Sequence, residues 1–341
     1  MESTTKTKLT KEELQRLVLE QFGCGLKDYR EFGEGHMNTI YHITLERPFV
    51  PSSVPGEERE PVQEVILKVS YFPEKEILTY EREIMRSEVF VYQLLRGKKI
   101  PTPEVLGYDF SHTLLEADYF FMTSVPGVSW ESVKEELTEE EKEGLMRELG
   151  NYQAILHSVD GRAFGYYKED KCGFATWAEA FSSMIQDMIE DGRVRKVPLP
   201  YEEIRSAVLK RKELLNEIRT PKLVDFDLWA GNVLLDKKDG NWYISAIIDF
   251  ERAFFGDPFA DFIAAVNLYT DIGEETQFIE GYRIVEEKFQ VTEHDRERMK
   301  LYSLYLNMIM AIEAYRYEEG YRRMIQGYCS RNIDKRLEEL S

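Results

Sequence analysis

The stretch Leu223–Asp261, LVDFDLWAGNVLLDKKDGNWYISAIIDFERAFFGDPFAD, constrains this chain more than any other. Two β-prone apolar runs, Val233–Leu235 and Tyr243–Ile248, flank the polar segment Asp236–Asn241. The pattern predicts a β-hairpin, and Gly240-Asn241 is an acceptable two-residue turn for it. Pairing the strands about that turn sets Asn232 opposite Asp249 at the open end, and Asp227 enters the same end five residues before Asn232. One amide and two carboxylates at one point make a set of hard oxygen ligands, the kind that holds Mg2+ and a polyphosphate.

The spacing narrows the chemistry further. Asp227-Leu-Trp-Ala-Gly-Asn232 fits the D-L-x-x-x-N part of a kinase catalytic loop, and Asp249-Phe250 fits the first two positions of D-F-G. In phosphoryl transfer of that type the loop aspartate accepts the hydroxyl proton, while the asparagine and the second aspartate hold metal ions that bridge the phosphates. A polar loop before a hairpin would supply D-x-x-x-x-N alone. It would not also supply a metal-ligand aspartate at the matching hairpin position.

The stretch resembles the aminoglycoside phosphotransferase family, the small-molecule branch of the protein-kinase-like fold that also includes choline and fructosamine kinases. Its members usually read H-G-D-x-x-x-x-N, then I-D-[FW]-E and G-D-P-x-x-D. The matching residues here are Asp227, Asn232, Asp249, Glu251, Gly256, Asp257, Pro258 and Asp261. The departure is Asp225-Phe226 in place of His-Gly, where alternation on extended backbone would point Asp225 and Asp227 the same way. The resemblance implies an α+β, two-lobed fold, with an antiparallel-sheet N-lobe over 1–123, a mainly helical C-lobe over 124–341, and ATP between them.

Length and composition bound the same picture. A chain of 341 residues can bury a substantial core and divide into two domains. No apolar run approaches a membrane span, and the polar start is unlike a signal peptide. Cys24, Cys172 and Cys329 are too scattered for a disulfide framework or a metal motif, which points to the cytoplasm, where ATP is available. A net charge of −19 argues against nucleic acid and is compatible with a cationic substrate drawn to an acidic cleft.

Along the chain, Thr10-x-x-Glu13 opens a helix whose apolar face is Leu14, Leu17 and Val18. Gly33 and Gly35 lie between two β-prone segments, where backbone N–H groups can approach phosphates, and His36 beside them is read as an exposed loop residue. Arg47–Pro61, with four prolines, is a surface loop before the strand Val65–Val69. Lys68 inside that apolar strand needs a partner, and the run resembles the V-A-I-K strand whose lysine pairs the nucleotide phosphates and a helix glutamate. The predicted helix Ile77–Arg96 offers Glu81, Glu83 and Glu88; the family's L-L-x-x-x-x-I-P-x-P pattern selects Glu88, with Glu83 second. In the family the strand Tyr119–Val125 resembles the hinge, which implies that backbone groups of Met122–Ser124 meet adenine.

Thr138-x-x-Glu141 starts a second capped helix that His157 closes without chemistry, and two more helices are expected over Phe174–Glu190 and Glu202–Arg219. Asp257-Pro258 is an N-cap and N1 pair for a helix Phe259–Tyr269, and the kinase-like resemblance has Asp261 brace the catalytic loop. The remainder is helical, with Glu313 and Tyr315 read as core, although a carboxylate and an aromatic face would also suit an ammonium group. The functional expectation is therefore an ATP- and Mg2+-dependent kinase. Asp227 is its base, Asn232 and Asp249 its metal ligands, and Gly33, Gly35, Lys68, Glu88, Met122 and Ser124 its nucleotide contacts. Its acceptor is a small-molecule hydroxyl of the aminoglycoside or another cationic type. The alternatives are a metabolic kinase for an amino-alcohol or sugar, and a nucleotide-binding pseudoenzyme. A protein kinase is disfavoured because only seven residues separate Asp249 from Asp257, too few for an activation loop.

Overall fold

A computed structural model describes residues 8–32, 38–51, 59–71, 77–168, 173–264, 272 and 275–341. Gly33, Gly35, His36 and Cys172 lie outside the described residues. The chain divides into two compact units, Met1–Glu76 with Tyr92–Arg96 and Pro103–Val125, and Ile77–Val91 with Gly97–Thr102 and Pro126–Ser341.

In the smaller unit, helix α1 (Lys11–Phe22) starts at a complete capping box. The Thr10 hydroxyl accepts from the Glu13 amide at 3.2 Å, and the Glu13 carboxylate accepts from the Thr10 amide at 2.7 Å. An exchange of this kind contributes about 1 kcal/mol. Strands β1 (Leu26–Phe32), β2 (Thr39–Phe49), β3 (Val62–Val69), β4 (Val105–Asp109) and β5 (Tyr119–Thr123) form one antiparallel sheet in the order β1-β2-β3-β5-β4. Alternation puts Tyr41, Ile43 and Leu45 with Val65, Leu67 and Val69 on the face that α1 covers through Leu14, Leu17 and Val18. Lys68 therefore points to the opposite face, where it is nonetheless buried, between Ile40 of β2 and Phe120 of β5 in the ladder.

The larger unit is mostly helical. Its elements are the first part of α2 (Ile84–Leu95, whose end from Tyr92 belongs to the smaller unit), β6 (Val128–Ser129), α3 (Trp130–Val133), α4 (Glu139–His157), β7 (Gly165–Tyr166), α5 (Trp177–Val194), α6 (Tyr201–Lys210) and α7 (Lys212–Leu215). They continue with β8 (Lys222–Val224), β9 (Val233–Lys238), β10 (Asn241–Ile247), β11 (Phe254–Gly256), α8 (Asp261–Ala264), α9 (Gln277–Tyr282), α10 (Glu293–Glu313) and α11 (Glu319–Glu339). Two small sheets, β10-β9-β6 and β7-β11-β8, are set among the helices. The core is aromatic: Trp177, Phe181, Phe226, Phe254, Tyr302 and Tyr305 are all buried together. Among the described residues no helix is long and apolar enough to cross a membrane.

Four local expectations are corrected. The predicted helix Ile77–Arg96 begins as a 3-10 turn at Thr79–Glu81 and turns helical only at Ile84, because Glu83 takes a left-handed φ of 64°. Tertiary contacts hold that first turn out of the helix: Thr79 donates to Asp191 from its amide and hydroxyl, and Glu81 pairs with Arg316. Helix α5 runs through Asp191-Gly192 to Val194, since Gly192 does not stop the helix. A Cβ at Gly192 would lie 2.2 Å from the Tyr201 hydroxyl and 2.9 Å from Ile312, so the glycine permits a close approach. The expected helix Glu202–Arg219 breaks at Arg211, whose guanidinium is drawn to Glu297 and the Leu340 carbonyl. The helix expected over Phe259–Tyr269 is a 3-10 turn, Pro258–Ala260, followed by α8; its remainder lies outside the described residues.

Candidate active site

The central hairpin forms, with a different register from the expected one. The turn is Asp239-Gly240, both at positive φ (53° and 86°), as a two-residue hairpin turn prefers. A shift between Ile244 and Ala246 adds one residue to β10, so the Ile248 amide bonds the Asn232 carbonyl at 3.0 Å. Asn232 thus faces Ile248, and Asp249 sits one residue beyond the expected pair. Asp249 itself adopts a left-handed φ of 68° where the strand ends.

The loop between β8 and β9 is bolted from below. Asp261, fully buried, accepts from the Asp225 amide at 3.1 Å and the Phe226 amide at 2.5 Å. His157 joins Asp261 to the Tyr282 hydroxyl through two contacts of 2.7 Å, so a histidine given no chemistry in the sequence serves to brace this loop. Asp257 caps its 3-10 turn through the Phe259 amide and also receives Arg298 at 2.8 Å and the Tyr302 hydroxyl at 2.6 Å.

The replaced His-Gly pair has a physical explanation in part. Phe226 holds a φ of 61°, the left-handed conformation that suits glycine, with its ring fully buried 5.3 Å from Phe254 and 5.6 Å from Tyr305. Asp225 is buried, and among the described residues neither carboxyl oxygen has a hydrogen bond of ordinary geometry. Burial, then the charges of Asp261, Asp227 and Asp249, push its pKa well above the usual carboxylate range, against which the Asp227 backbone N–H works in the other direction.

Asp227 has its two oxygens engaged separately. The Asn232 side-chain amide donates to Oδ2 at 3.2 Å and to the Asp227 carbonyl at 2.9 Å, while Arg252 Nη1 lies 3.3 Å from Oδ1. Burial raises the Asp227 pKa to about 6; Arg252 opposes the shift, and Asp249 adds to it. Arg252 is held in turn by both oxygens of Glu313, each 3.1 Å from Nη2, and the Tyr80 hydroxyl donates to Glu313. Neither Arg252 nor the Glu313 contact was foreseen. Their local signals were Arg252 directly after I-D-F-E and a carboxylate on the core face of the last long helix but one.

A divalent cation has a fitting donor set. The carboxylates of Glu88, Asp249 and Glu251 place one oxygen each within 4.8 Å of one another. The Asn232 side-chain nitrogen is given to Asp227, which leaves its amide oxygen as the acceptor end of that side chain. Hard oxygens of this number and charge suit Mg2+. Glu88, the expected partner of Lys68, also belongs to this carboxylate group, and Glu81, another glutamate of the same stretch, is paired with Arg316. In the smaller unit Met122 is paired within the sheet, and the Thr123 and Ser124 amides donate to the backbone carbonyls of Glu104 at 2.9 Å and Glu64 at 3.4 Å.

A family model described as the phosphotransferase enzyme family matches residues 28–302. The chain belongs to that family. The chain shares its fold with a thermostable mutant of aminoglycoside phosphotransferase APH(4)-Ia, solved with AMP-PNP and hygromycin B. The TM-score is 0.61 at 17% identity over 96% of this chain and 98% of that one. A candidate fructosamine-3-kinase from Thermobifida fusca YX-ER1 has a TM-score of 0.62 at 19% identity, over 94% and 98%. ADP-bound aminoglycoside phosphotransferase APH(2'')-Ib has 0.58 at 16%, over 96% and 99%. No curated protein matches the chain in sequence. At these identities the neighbours show the protein-kinase-like fold, with an antiparallel-sheet N-terminal region and a helical C-terminal region.

Proposed function

We propose that this phosphotransferase moves the γ-phosphoryl group of ATP to a hydroxyl of a small molecule in a Mg2+-dependent reaction in the cytoplasm. The observation that carries the reading is Asp227: a carboxylate with a pKa raised to about 6, its oxygens held by Asn232 and Arg252. A group so placed is ionised at neutral pH and still basic enough to take a hydroxyl proton as the acceptor oxygen bonds to phosphorus. Glu88, Asp249, Glu251 and the Asn232 oxygen would hold the metal, which when bound supplies positive charge for the phosphates. Lys68 and the backbone of Met122–Ser124 are assigned to the phosphates and the base of the nucleotide, with Gly33 and Gly35 beside the phosphates.

Two acceptor classes stand. Hygromycin B bound to one neighbour and the net charge of −19 favour a cationic aminoglycoside-type substrate. The equal likeness to a candidate fructosamine-3-kinase favours a metabolic acceptor, an amino-alcohol or a sugar derivative. The test is MgATP consumption over a panel of hygromycin B, other aminoglycosides, fructosylated amines, amino-alcohols and free sugars. Turnover of one class is expected, and Asp227→Asn should lower it by about 10²–10⁴-fold while MgADP still binds. ATP binding without turnover of any acceptor would refute the reading in favour of a nucleotide-binding pseudoenzyme, and full activity in Asp227→Asn would remove Asp227 as the base.

A further inference from the structure

Arg252 has no part in the metal set, yet it is placed where the candidate base is held. Its side chain keeps 17% of its surface exposed, against 23% for Asp227 and 9% for Glu313. One guanidinium nitrogen takes both Glu313 oxygens at 3.1 Å, and the other reaches Asp227 Oδ1 at 3.3 Å. Glu313 ends α10, and the Tyr80 hydroxyl fixes it from a third point of the chain. Asp227 Oδ2 is held independently by Asn232. Both carboxylate oxygens thus have a fixed donor, and each keeps a lone pair for an incoming hydroxyl.

The geometry points to Arg252 as a positioning residue: bridging Glu313 and Asp227, it fixes the orientation of the Asp227 carboxylate toward an acceptor hydroxyl. This rests on the reading of Asp227 as the base. A planar fork with two separate N–H pairs can serve two carboxylates at once, whereas an ammonium is a single point charge, so arginine suits the task and lysine would do it only in part. Glu313 keeps the guanidinium from collapsing wholly onto Asp227, and Asn232 prevents rotation about the Cβ–Cγ bond. A carboxylate released on one side would turn away from the acceptor, and a displacement of about 1 Å costs on the order of 10²-fold in rate.

The test is a double-mutant cycle in the full chain, Arg252→Gln with Asp227→Asn, read in two ways. The first readout is kcat with MgATP and whichever panel acceptor wild type phosphorylates. Arg252→Gln is expected to lose about 10²-fold in kcat with KM for ATP unchanged, and Arg252→Lys to recover part of the loss. In the Asp227→Asn background Arg252→Gln should lower the residual rate no further. The near-isosteric Glu313→Gln should lower kcat in the same direction, which keeps the test open if Arg252→Gln folds poorly. The second readout needs no turnover: urea unfolding of the four proteins should give a coupling of at least about fivefold in the unfolding constant, as charge-assisted hydrogen bonds do. A kcat within threefold of wild type in both Arg252→Gln and Glu313→Gln, or a coupling below twofold, overturns the inference. Wild type that turns over no acceptor while the coupling is present refutes the kinase reading and leaves the clamp standing as a structural contact.

Discussion

Phe226 is the position where sequence departure and structure can be set against each other most sharply. It occupies a left-handed backbone conformation, φ 61°, that a Cβ-bearing residue enters at a cost of about 1–2 kcal/mol. Its ring is fully buried against Phe254 and Tyr305, and deleting such a ring costs about 3–5 kcal/mol. Phe226→Ala loses the ring and keeps the backbone cost, so it should destabilise by about 3–5 kcal/mol. Phe226→Gly loses the same ring and sheds the backbone cost, offset in part by the extra freedom of glycine in the unfolded chain, about 0.5–1 kcal/mol. The net expectation is that glycine is the milder substitution, by about 0.5–1 kcal/mol, which reverses the usual preference for alanine over glycine.

The assay is urea unfolding followed by tryptophan fluorescence. All four tryptophans, Trp130, Trp177, Trp229 and Trp242, belong to the larger unit, and Trp177 stacks on Phe254 at 5.7 Å, so the signal reports on the right part of the chain. With a slope of about 3 kcal/mol/M, a loss of about 3 kcal/mol moves the midpoint by about 1 M, and the two variants should differ by about 0.2–0.3 M. An alanine variant as stable as the glycine variant would refute the claim that position 226 bears a backbone cost. A loss below about 1 kcal/mol in both would refute the claim that the ring is a core element. Because the loop keeps its Asp261 hydrogen bonds, Phe226→Gly should also retain turnover when assayed below its melting range.

Asp225→Asn should stabilise the protein relative to wild type as pH rises. A buried acid whose pKa is raised keeps its proton in the folded state after the unfolded chain has released it, so wild type loses stability from the unfolded value upward, and asparagine does not; parallel pH curves at pH 5 and pH 8 would disprove this. With the base pKa near 6, kcat/KM should fall as pH drops through about 6 and level off above it; an acid limb near 4 would show that Asp227 is not the group titrating. Glu251→Gln removes one of three clustered carboxylates and should raise the Mg2+ concentration for half-maximal rate by about tenfold, while EDTA should abolish turnover reversibly. Arg298→Met strands the buried Asp257 carboxylate and should cost about 3–5 kcal/mol in the same urea assay.

What could be read in the sequence was whatever a short stretch fixes by itself. The capping boxes at Thr10 and Thr138 satisfy helix amides three residues away, so spacing reveals them, and both are formed. The offset from Asp227 to Asn232 is likewise local, and it places the two side chains in contact. The hairpin register was not local in this sense. Asp239-Gly240 and Gly240-Asn241 are both usable turns, and the residue added in β10 leaves no mark in the alternation of apolar side chains, so the pairing shifted by one. The bent start of α2 was hidden for a different reason: its contacts come from Asp191 and Arg316, and no helix propensity anticipates them.

The same distinction explains why the loop survives the loss of His-Gly. Its shape depends on two backbone amides bonded to Asp261 and one left-handed residue, and neither requires a particular side chain at 225 or 226. Glycine reaches that conformation at little steric cost, whereas Phe226 is kept there by a fully buried ring in an aromatic core. Arg252 and Glu313, separated by 61 residues, meet beside Asp227 under the same rule. Motif spacing identifies a candidate base, but the groups that orient it are supplied by the tertiary fold, and a departure inside the motif is tolerated where that fold can hold the backbone in place.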